Sequence, residues 1–227
     1  MYKKVIAIDG PAGSGKSTVA KSVASKLDFF YLDTGAMYRG VALLSLRNNI
    51  SNEDTSSSAK LAQQADFRFE PGTPQKVFLN NEDITEAIRT MEIAEKASAI
   101  SAIPEVRREL VKKQKQILEK GNAVLEGRDT TTVVCPDALL KIYLTATLHE
   151  RARRRWLELL NKNNDSPKIE EIQAQIAQRD ARDANREDSP LRIAPDAIII
   201  ETDFLTPNEV IQRIIKEWEQ ALNSSLQ

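Results

Sequence analysis

The chain has 227 residues, 41% of them hydrophobic, enough to bury a sizeable core in one domain carrying insertions. Its formal net charge of −1 gives no overall positive field for nucleic acid or an anionic membrane, so acidic small molecules must be met by local charge. One cysteine, Cys135, excludes an internal disulfide, and one histidine, His149, excludes a His/Cys zinc cluster. No apolar run nears the ~18 residues of a membrane span, and no basic segment with an apolar stretch opens the chain. The expectation is a soluble, cytoplasmic protein with neither a nucleic-acid nor a membrane partner.

In chain order, the β-branched run Val5-Ile6-Ala7-Ile8 reads as a buried strand. Asp9 and then Gly10-Pro11-Ala12-Gly13-Ser14-Gly15-Lys16-Ser17 follow, the pattern G-x-x-x-x-G-K-[ST]. Val19, Ala20, Val23, Ala24 and Leu27 continue it as the stripe of a helix. Strand, glycine turn and helix start are what a phosphate cradle needs: glycines admit close approach, successive N–H groups point inward, and the helix N-terminus adds partial positive charge. The loop from Gly10 through Thr18 is therefore expected to hold a nucleoside triphosphate. Lys16 would meet its β- and γ-phosphates, and Ser17 would offer its hydroxyl to Mg²⁺.

Phe29 to Asp33 reads as a second strand and Thr34 to Leu46 as a second helix, a βαβα start that favours a parallel sheet. Residues 48–85 interrupt it with a polar helical stretch and a small hairpin, Phe67-Arg68-Phe69 and Val77-Phe78-Leu79 around Pro71-Gly72-Thr73-Pro74. Thr85 is expected to cap a helix containing Ile88, Ile93 and Ile100, and Pro104 to open another reaching Leu118 before Gly121. Ala123 to Gly127, Leu140 to Leu144 and Ala197 to Glu201 complete five candidate parallel strands, and Pro207 to Leu222 forms a last amphipathic helix. Ligands of open parallel sheets lie beyond the carboxyl ends of the strands, here Asp9, Asp33 and Gly127-Arg128-Asp129.

Between Thr147 and Arg192, ten Lys/Arg face nine Asp/Glu, a near-neutral balance that argues against a nucleic-acid surface. On a helix starting near Lys168, Arg179, Arg182, Asp183 and Arg186 share one face, and Ile169, Ile172 and Ile176 form a separate apolar stripe. Guanidiniums so gathered repel one another unless anions sit among them; a solvated face laced with ion pairs is the other reading. Asn161 to Pro167 is turn-rich and reads as a mobile connection. His149 reads as a surface residue; Cys135, Trp156 and Trp218 read as packing.

The phosphate loop alone does not separate a switch from a kinase. No NKxD or DxxG string occurs, which argues against a switch GTPase. Arg39, Arg107, Arg128 and the 179–186 face exceed what one nucleotide requires, which implies a second anionic substrate. If that substrate is a nucleoside monophosphate, its attacking oxygen is already largely ionised, with a pKa of about 6 like other phosphate monoesters, and no general base is needed.

These pieces together resemble the bacterial cytidylate kinases over nearly the whole chain. The most specific are Leu32-Asp33-Thr34-Gly35-Ala36-Met37-Tyr38-Arg39, Gly127-Arg128-Asp129 with Thr132-Val133-Val134 and Pro136-Asp137-Ala138, and Arg179-Asp180 with Arg182-Asp183 and Asn185-Arg186. The resemblance implies a P-loop α/β fold: a five-stranded parallel sheet flanked by helices, with a core of 1–47, 86–146 and 187–227, a monophosphate-binding insertion at 48–85 and a helical lid at 147–186. It implies transfer of the γ-phosphoryl group of ATP, with Mg²⁺, to CMP and dCMP by a monomer. Thr34, Tyr38, Arg39, Ser98, Arg107, Arg128, Asp129, Arg179, Asp183 and Arg186 would contact the monophosphate, with Asp129, Arg107 and Ser98 reading cytosine. Arg154, Arg155 and Arg182 would lie near ATP. The catalytic charges would be Lys16, Arg128, Arg179, Arg182 and Arg186. Thr131 stands where the family often has glycine, Cys135 where an aromatic is expected, and Glu201 where aspartate is usual. A kinase of a small hydroxylated metabolite and a non-catalytic nucleotide-binding module are the alternatives.

Overall fold

The computed structural model describes residues 3–72, 75–161 and 167–225. Strand β1 (Lys3–Asp9) runs up the middle of the sheet, and its apolar run is buried on both sides. Val5 and Ala7 face one helical layer while Ile6 and Ile8 face the other, as the period of two requires. Helix α1 (Lys16–Leu27) returns to β2 (Phe30–Asp33), and α2 (Thr34–Arg47) follows at once, with the Asp33 carboxylate accepting from Ala36 N–H at 3.0 Å as its cap. β6 (Ala123–Gly127), β7 (Ala138–Thr145) and β8 (Ile198–Glu201) complete the sheet. It has five strands, all parallel, in the order β2-β6-β1-β7-β8. Asp9 pairs with Gly127 and with Tyr143, and Asp33 with Glu126, so the carboxyl ends of the strands finish level and open on one side.

The five strands and flanking helices match the expected P-loop architecture. On one face, Val19, Ala20, Val23 and Ala24 of α1 pack with Val210, Ile211, Ile214 and Trp218 of α8 (Pro207–Ser225). Trp218 meets Phe29 edge-on with ring centroids 5.4 Å apart, a packing role as its helical spacing indicates. On the other face lie α2, α4 (Met91–Ile100) and α5 (Pro104–Ile117). The insertion packs into this second layer: α3 (Thr55–Gln64) and the three-stranded antiparallel sheet of β3 (Phe67–Glu70), β4 (Lys76–Leu79) and β5 (Glu82–Asp83) share its apolar cluster through Ala62, Val77, Leu79 and Ile84.

The expected hairpin is thus two of three strands. The third is joined by Asn80-Asn81, both with φ near +50 to +70° (51° and 70°), the backbone a two-residue turn demands and one that asparagine tolerates. Thr85 does not cap the next helix. Its hydroxyl accepts from Val77 N–H at 3.0 Å and donates to Asp83 at 2.6 Å, while Thr90 caps α4 by accepting from Ile93 N–H at 3.2 Å. Thr73 and Pro74 of the predicted turn and residues 162–166 of the predicted connection lie outside the described residues. His149 is exposed and Cys135 is buried and unpaired.

Helices α6 (Leu148–Leu160) and α7 (Ile169–Asn185) pack against each other over Ala152, Ile172 and Ile176, with Trp156 at the margin and Ala12 of the phosphate loop completing the cluster. The apolar stripe of α7 does not lie on a separate face: Ile172, Ile176, Arg179 and Asp183 follow one another at steps of three and four residues, so the same face packs on the loop in its first half and carries the arginines over the strand ends in its second. Among the described residues no helix is long and apolar enough to cross a membrane.

Candidate active site

The loop after β1 takes its shape from backbone that only glycine adopts without strain. Gly10 has φ +152°, and a Cβ there would lie 2.0 Å from the Leu144 carbonyl oxygen, so the loop can leave the sheet at this point only without a side chain. Gly15, at φ +89°, turns the chain into α1. Lys16 reaches back into the loop, donating to the Pro11 carbonyl at 2.6 Å and to Ser14 Oγ at 3.2 Å. Burial, and then the nearby Arg128 guanidinium, hold its ammonium well below the ordinary lysine range. A cation held that way is stabilised by an arriving anion.

The loop is fastened from two sides. Asp180 of α7 accepts from Ala12 N–H at 3.0 Å and from Arg151, which in turn donates to the Ala12 carbonyl at 3.0 Å. Asp9, expected to face the crevice, is instead fully buried behind it. Its carboxylate accepts four hydrogen bonds of 2.6 to 2.9 Å, from the N–H and hydroxyl of both Thr130 and Thr131. Burial still outweighs those donors and raises the Asp9 carboxyl above its ordinary value. The glycine that Thr131 replaces is therefore not missed: the threonine is not left-handed, and its hydroxyl helps to anchor the segment carrying Arg128 and Asp129.

A cleft of 1420 Å³ runs from this loop across the strand ends. One end is lined by Thr34, Tyr38, Arg39, Ser98, Arg107, Arg128, Asp129, Arg179, Asp183 and Arg186. Arg107, only 1% exposed, pairs with Asp129 through one terminal nitrogen and lies over the Tyr38 ring at 5.5 Å. Arg128 pairs with Asp183 at 2.8 Å. Arg186 falls just past the end of α7, not within it as its spacing suggests, yet its extended backbone carries the guanidinium to within 3.8 Å of Asp129 and 3.7 Å of Asp183. Here Tyr38 Oη, Ser98 Oγ, Arg107 Nε and one terminal nitrogen of Arg186 are buried without hydrogen-bond partners among the described residues. Each such group costs about 1–3 kcal/mol if left so. Four at one end of a cleft mark a place built for a polar ligand.

Arg179 and Arg182 have no carboxylate partner among the described residues, and both line the cleft. Burial and then Arg128 push the Arg179 guanidinium down to about 10. Ser17 donates its hydroxyl to Glu126 Oε1, which Tyr31 also reaches at 3.0 Å. A hydroxyl and a carboxylate at the loop suit Mg²⁺, which takes one or two protein oxygens and completes its shell with phosphates and water. Among the described residues no cluster of three or more His, Cys, Asp or Glu forms a closed cage.

The family model described as "Cytidylate kinase" matches residues 6–220. The chain belongs to the cytidylate kinase family. It is 51% identical to the cytidylate kinase of Caldanaerobacter subterraneus over 92% of each chain. It is 48% identical, over 98% of its own length, to the bifunctional pantoate ligase/cytidylate kinase of a Synechococcus strain, and spans 42% of that longer protein. A gluconokinase from Sinorhizobium meliloti shares the fold at a TM-score of 0.51 and 12% identity, over 100% of this chain and 98% of that one.

Within this cytidylate kinase fold most of the sequence-derived site residues come together. Ala12, Gly13, Ser14, Gly15, Lys16, Ser17, Thr18, Arg154, Arg155 and Arg182 line the same cleft as the arginine-rich end around Asp129, whereas Gly10 and Pro11 do not line it and shape the loop from behind. Arg39 is paired with Asp33 at 2.7 Å, and the Thr34 hydroxyl donates to the Glu126 carbonyl at 2.6 Å. Asp33 was placed at a strand end, and Asp180 within a family motif, without a role for either, and Glu126 was not singled out at all, although its place at the end of a parallel strand is the same signal that marked Asp33.

Proposed function

We propose that the protein transfers the γ-phosphoryl group of ATP to CMP and dCMP, giving ADP and CDP or dCDP. The observation that carries this reading is the facing of two sites in one cleft: a phosphate loop at one side, and an arginine-lined pocket with buried, partnerless Ser98, Tyr38 and Arg107 atoms at the other. Membership of a family of phosphotransferases supports it. The alternatives are less well supported. A metabolite kinase would need a base beside an acceptor hydroxyl, and Asp9, the carboxylate closest to the loop in sequence, is engaged by four donors and fully buried.

The loop amides and Lys16 hold the donor phosphates; Arg128, Arg179, Arg182 and Arg186 stand where charge spreads over the transferring group. The acceptor phosphate arrives already ionised, so the protein's work is alignment and charge neutralisation. Ser17 and Glu126 would hold Mg²⁺, which when bound neutralises charge on the donor phosphates. Asp129 and Arg107, with Ser98, would read cytosine. The same reading has the enzyme working in the cytoplasm as a monomer on nucleotides, not nucleic acid; the sequence net charge of −1 supports that last part.

The α6–α7 pair serves in this reading as a lid. It is tied to the rest of the molecule by side-chain links, Asp180 and Arg151 at the loop, Asp183 with Arg128 and Arg154 with Thr202, and by a small apolar cluster of its own rather than by a share of the main core. ATP with CMP, or a bisubstrate analogue, is expected to slow hydrogen exchange in α7, and Asp180→Ala to speed it in the free protein. Equal exchange in free and bound samples counts against a lid. The function itself is tested by ADP release over a panel of CMP, dCMP, UMP, AMP and shikimate. Turnover confined to the cytidine acceptors is expected; turnover with the hydroxyl acceptor alone, or with none, overturns the reading.

A further inference from the structure

The Arg107 guanidinium offers its N–H donors in a setting that is almost closed to water. One terminal nitrogen pairs with Asp129 and the other donates to the Ser101 carbonyl at 3.1 Å, while Nε has no hydrogen-bond partner among the described residues. Asp129 does not serve Arg107 alone. Arg186 approaches the same carboxylate at 3.8 Å and Asp183 at 3.7 Å, and Arg128 already holds Asp183 at 2.8 Å, so three guanidiniums share these two carboxylates. Their mutual repulsion acts on Arg107, the group that must keep one fixed place if it is to read a base.

A third carboxylate stands outside the main cleft. Asp188, on the turn that follows α7, has Oδ1 4.0 Å from Arg107 Nε and Oδ2 3.6 Å from Nε of Arg108, the next residue of α5. It does not line the main cleft; with Pro104, Arg108 and Ser189 it lines a separate cleft at the surface. The turn that carries it is fixed. Arg186 Nε donates to the Ser189 carbonyl at 2.6 Å, Leu191 N–H donates to the Asp183 carbonyl at 2.8 Å, and the Ser189 hydroxyl donates to the Asp188 carboxylate. Ser189 has φ +52°, a left-handed backbone that serine keeps only where its surroundings impose it. At 4.0 Å Asp188 attracts the Arg107 charge without taking up its Nε proton, which stays uncommitted.

We propose that Asp188 is a positioning residue for base recognition, a second counter-ion that holds the Arg107 guanidinium in place while Asp129 turns an oxygen to the acceptor's base. The inference rests on the phosphoryl-transfer reading, with Arg107 and Asp129 as readers of cytosine. A carboxylate has several lone-pair sites but only one charge. Once Asp129 is shared among Arg107, Arg186 and an exocyclic amine, Asp188 supplies the rest of the balance at Arg107. From outside the main cleft it acts only through Arg107. Its loss therefore loosens the grip on the base and leaves phosphoryl transfer in the saturated enzyme intact.

Steady-state kinetics with ATP and CMP, and with ribose 5-phosphate as a competitive inhibitor that lacks the base, compare the native protein with Asp188→Asn and Asp188→Glu. Asparagine keeps an acceptor for Ser189 and removes the charge, and Asp129 still faces Arg107, so the fold is retained. Expected in Asp188→Asn is a KM for CMP raised about five- to tenfold, with kcat within about twofold of native and the inhibition constant of ribose 5-phosphate unchanged; Asp188→Glu restores most of the KM. An unchanged KM in Asp188→Asn overturns the proposal. So does an equal rise in KM and in the inhibition constant, which reports a reshaped pocket, or a glutamate variant no better than the asparagine one, which assigns the effect to the turn and not to the charge. In each of these cases native turnover of CMP leaves the phosphoryl-transfer reading standing. A native protein that turns over no CMP sinks that reading and the role of Asp188 with it.

Discussion

Lys16→Ala is expected to remain folded and to lose turnover by a factor of about 10² to 10³, the effect of removing one preorganised charge from a transition state. The side chain is buried, but its ammonium contacts only the loop it belongs to, through Pro11 and Ser14. Burial and Arg128 both disfavour its charge in the free enzyme, so deleting it removes a cost as well as two hydrogen bonds. Thermal melting should therefore change little. The sign of the pH effect follows from the same depression. Triphosphate restores the charged form, so binding takes up a proton at pH values above the depressed lysine pKa of the free enzyme, and affinity for ATP falls as pH rises through that pKa. Calorimetry in buffers of different ionisation enthalpy reads that uptake. An alanine variant with near-native kcat would remove Lys16 from the chemistry.

What the sequence made legible was local. The strand, turn and helix around Gly10 to Lys16 occupy adjacent residues, and each obeys a short-range rule, so β1, the loop and α1 follow directly. The alternation of Val5 and Ala7 against Ile6 and Ile8 likewise announces a strand buried on both faces. What escaped depends on partners distant in the chain. Asp9 binds Thr130 and Thr131, some 120 residues away, and no spacing rule links them. Asp180 meets Ala12 across 168 residues. The third strand of the insertion is two residues long, too short for periodicity, and its Asn80-Asn81 turn lacks the usual glycine. Thr85 and Thr90 both precede helical residues and offer the same cap chemistry; the hydrogen bond from Val77, set by the small sheet, decides between them. The family resemblance placed Arg107 and Asp129 in one pocket, each toward cytosine, but not their pairing with each other, since the two sit on different elements 22 residues apart.

That pair carries the second large expected effect, a collapse of base discrimination. Cytosine presents a donor at its 4-amino group and an acceptor at N3, and uracil the reverse. A site with a carboxylate for the first and a guanidinium for the second leaves two groups unpaired when uracil enters. At about 1–3 kcal/mol for each unpaired buried group, two give at least about 10²-fold in kcat/KM. Asp129 and Arg107 stand side by side in the pocket, with Ser98 Oγ partnerless among the described residues. The informative substitution is not alanine. Arg107 is 1% exposed, and removing its partner leaves a buried, uncompensated charge at about 3–5 kcal/mol, a large share of the stability of an ordinary domain. Asp129→Asn keeps the shape and one acceptor oxygen for Arg107, while its amide nitrogen can donate to the uracil oxygen that the carboxylate repels. Expected is a native preference for CMP over UMP of 10² or more, reduced in Asp129→Asn by at least tenfold, with a melting temperature close enough to native for the kinetics to be read. If Asp129 serves only to hold Arg107 and shape the cleft, the asparagine variant slows CMP and UMP by the same factor. An unchanged ratio of the two kcat/KM values would therefore take cytosine recognition away from Asp129.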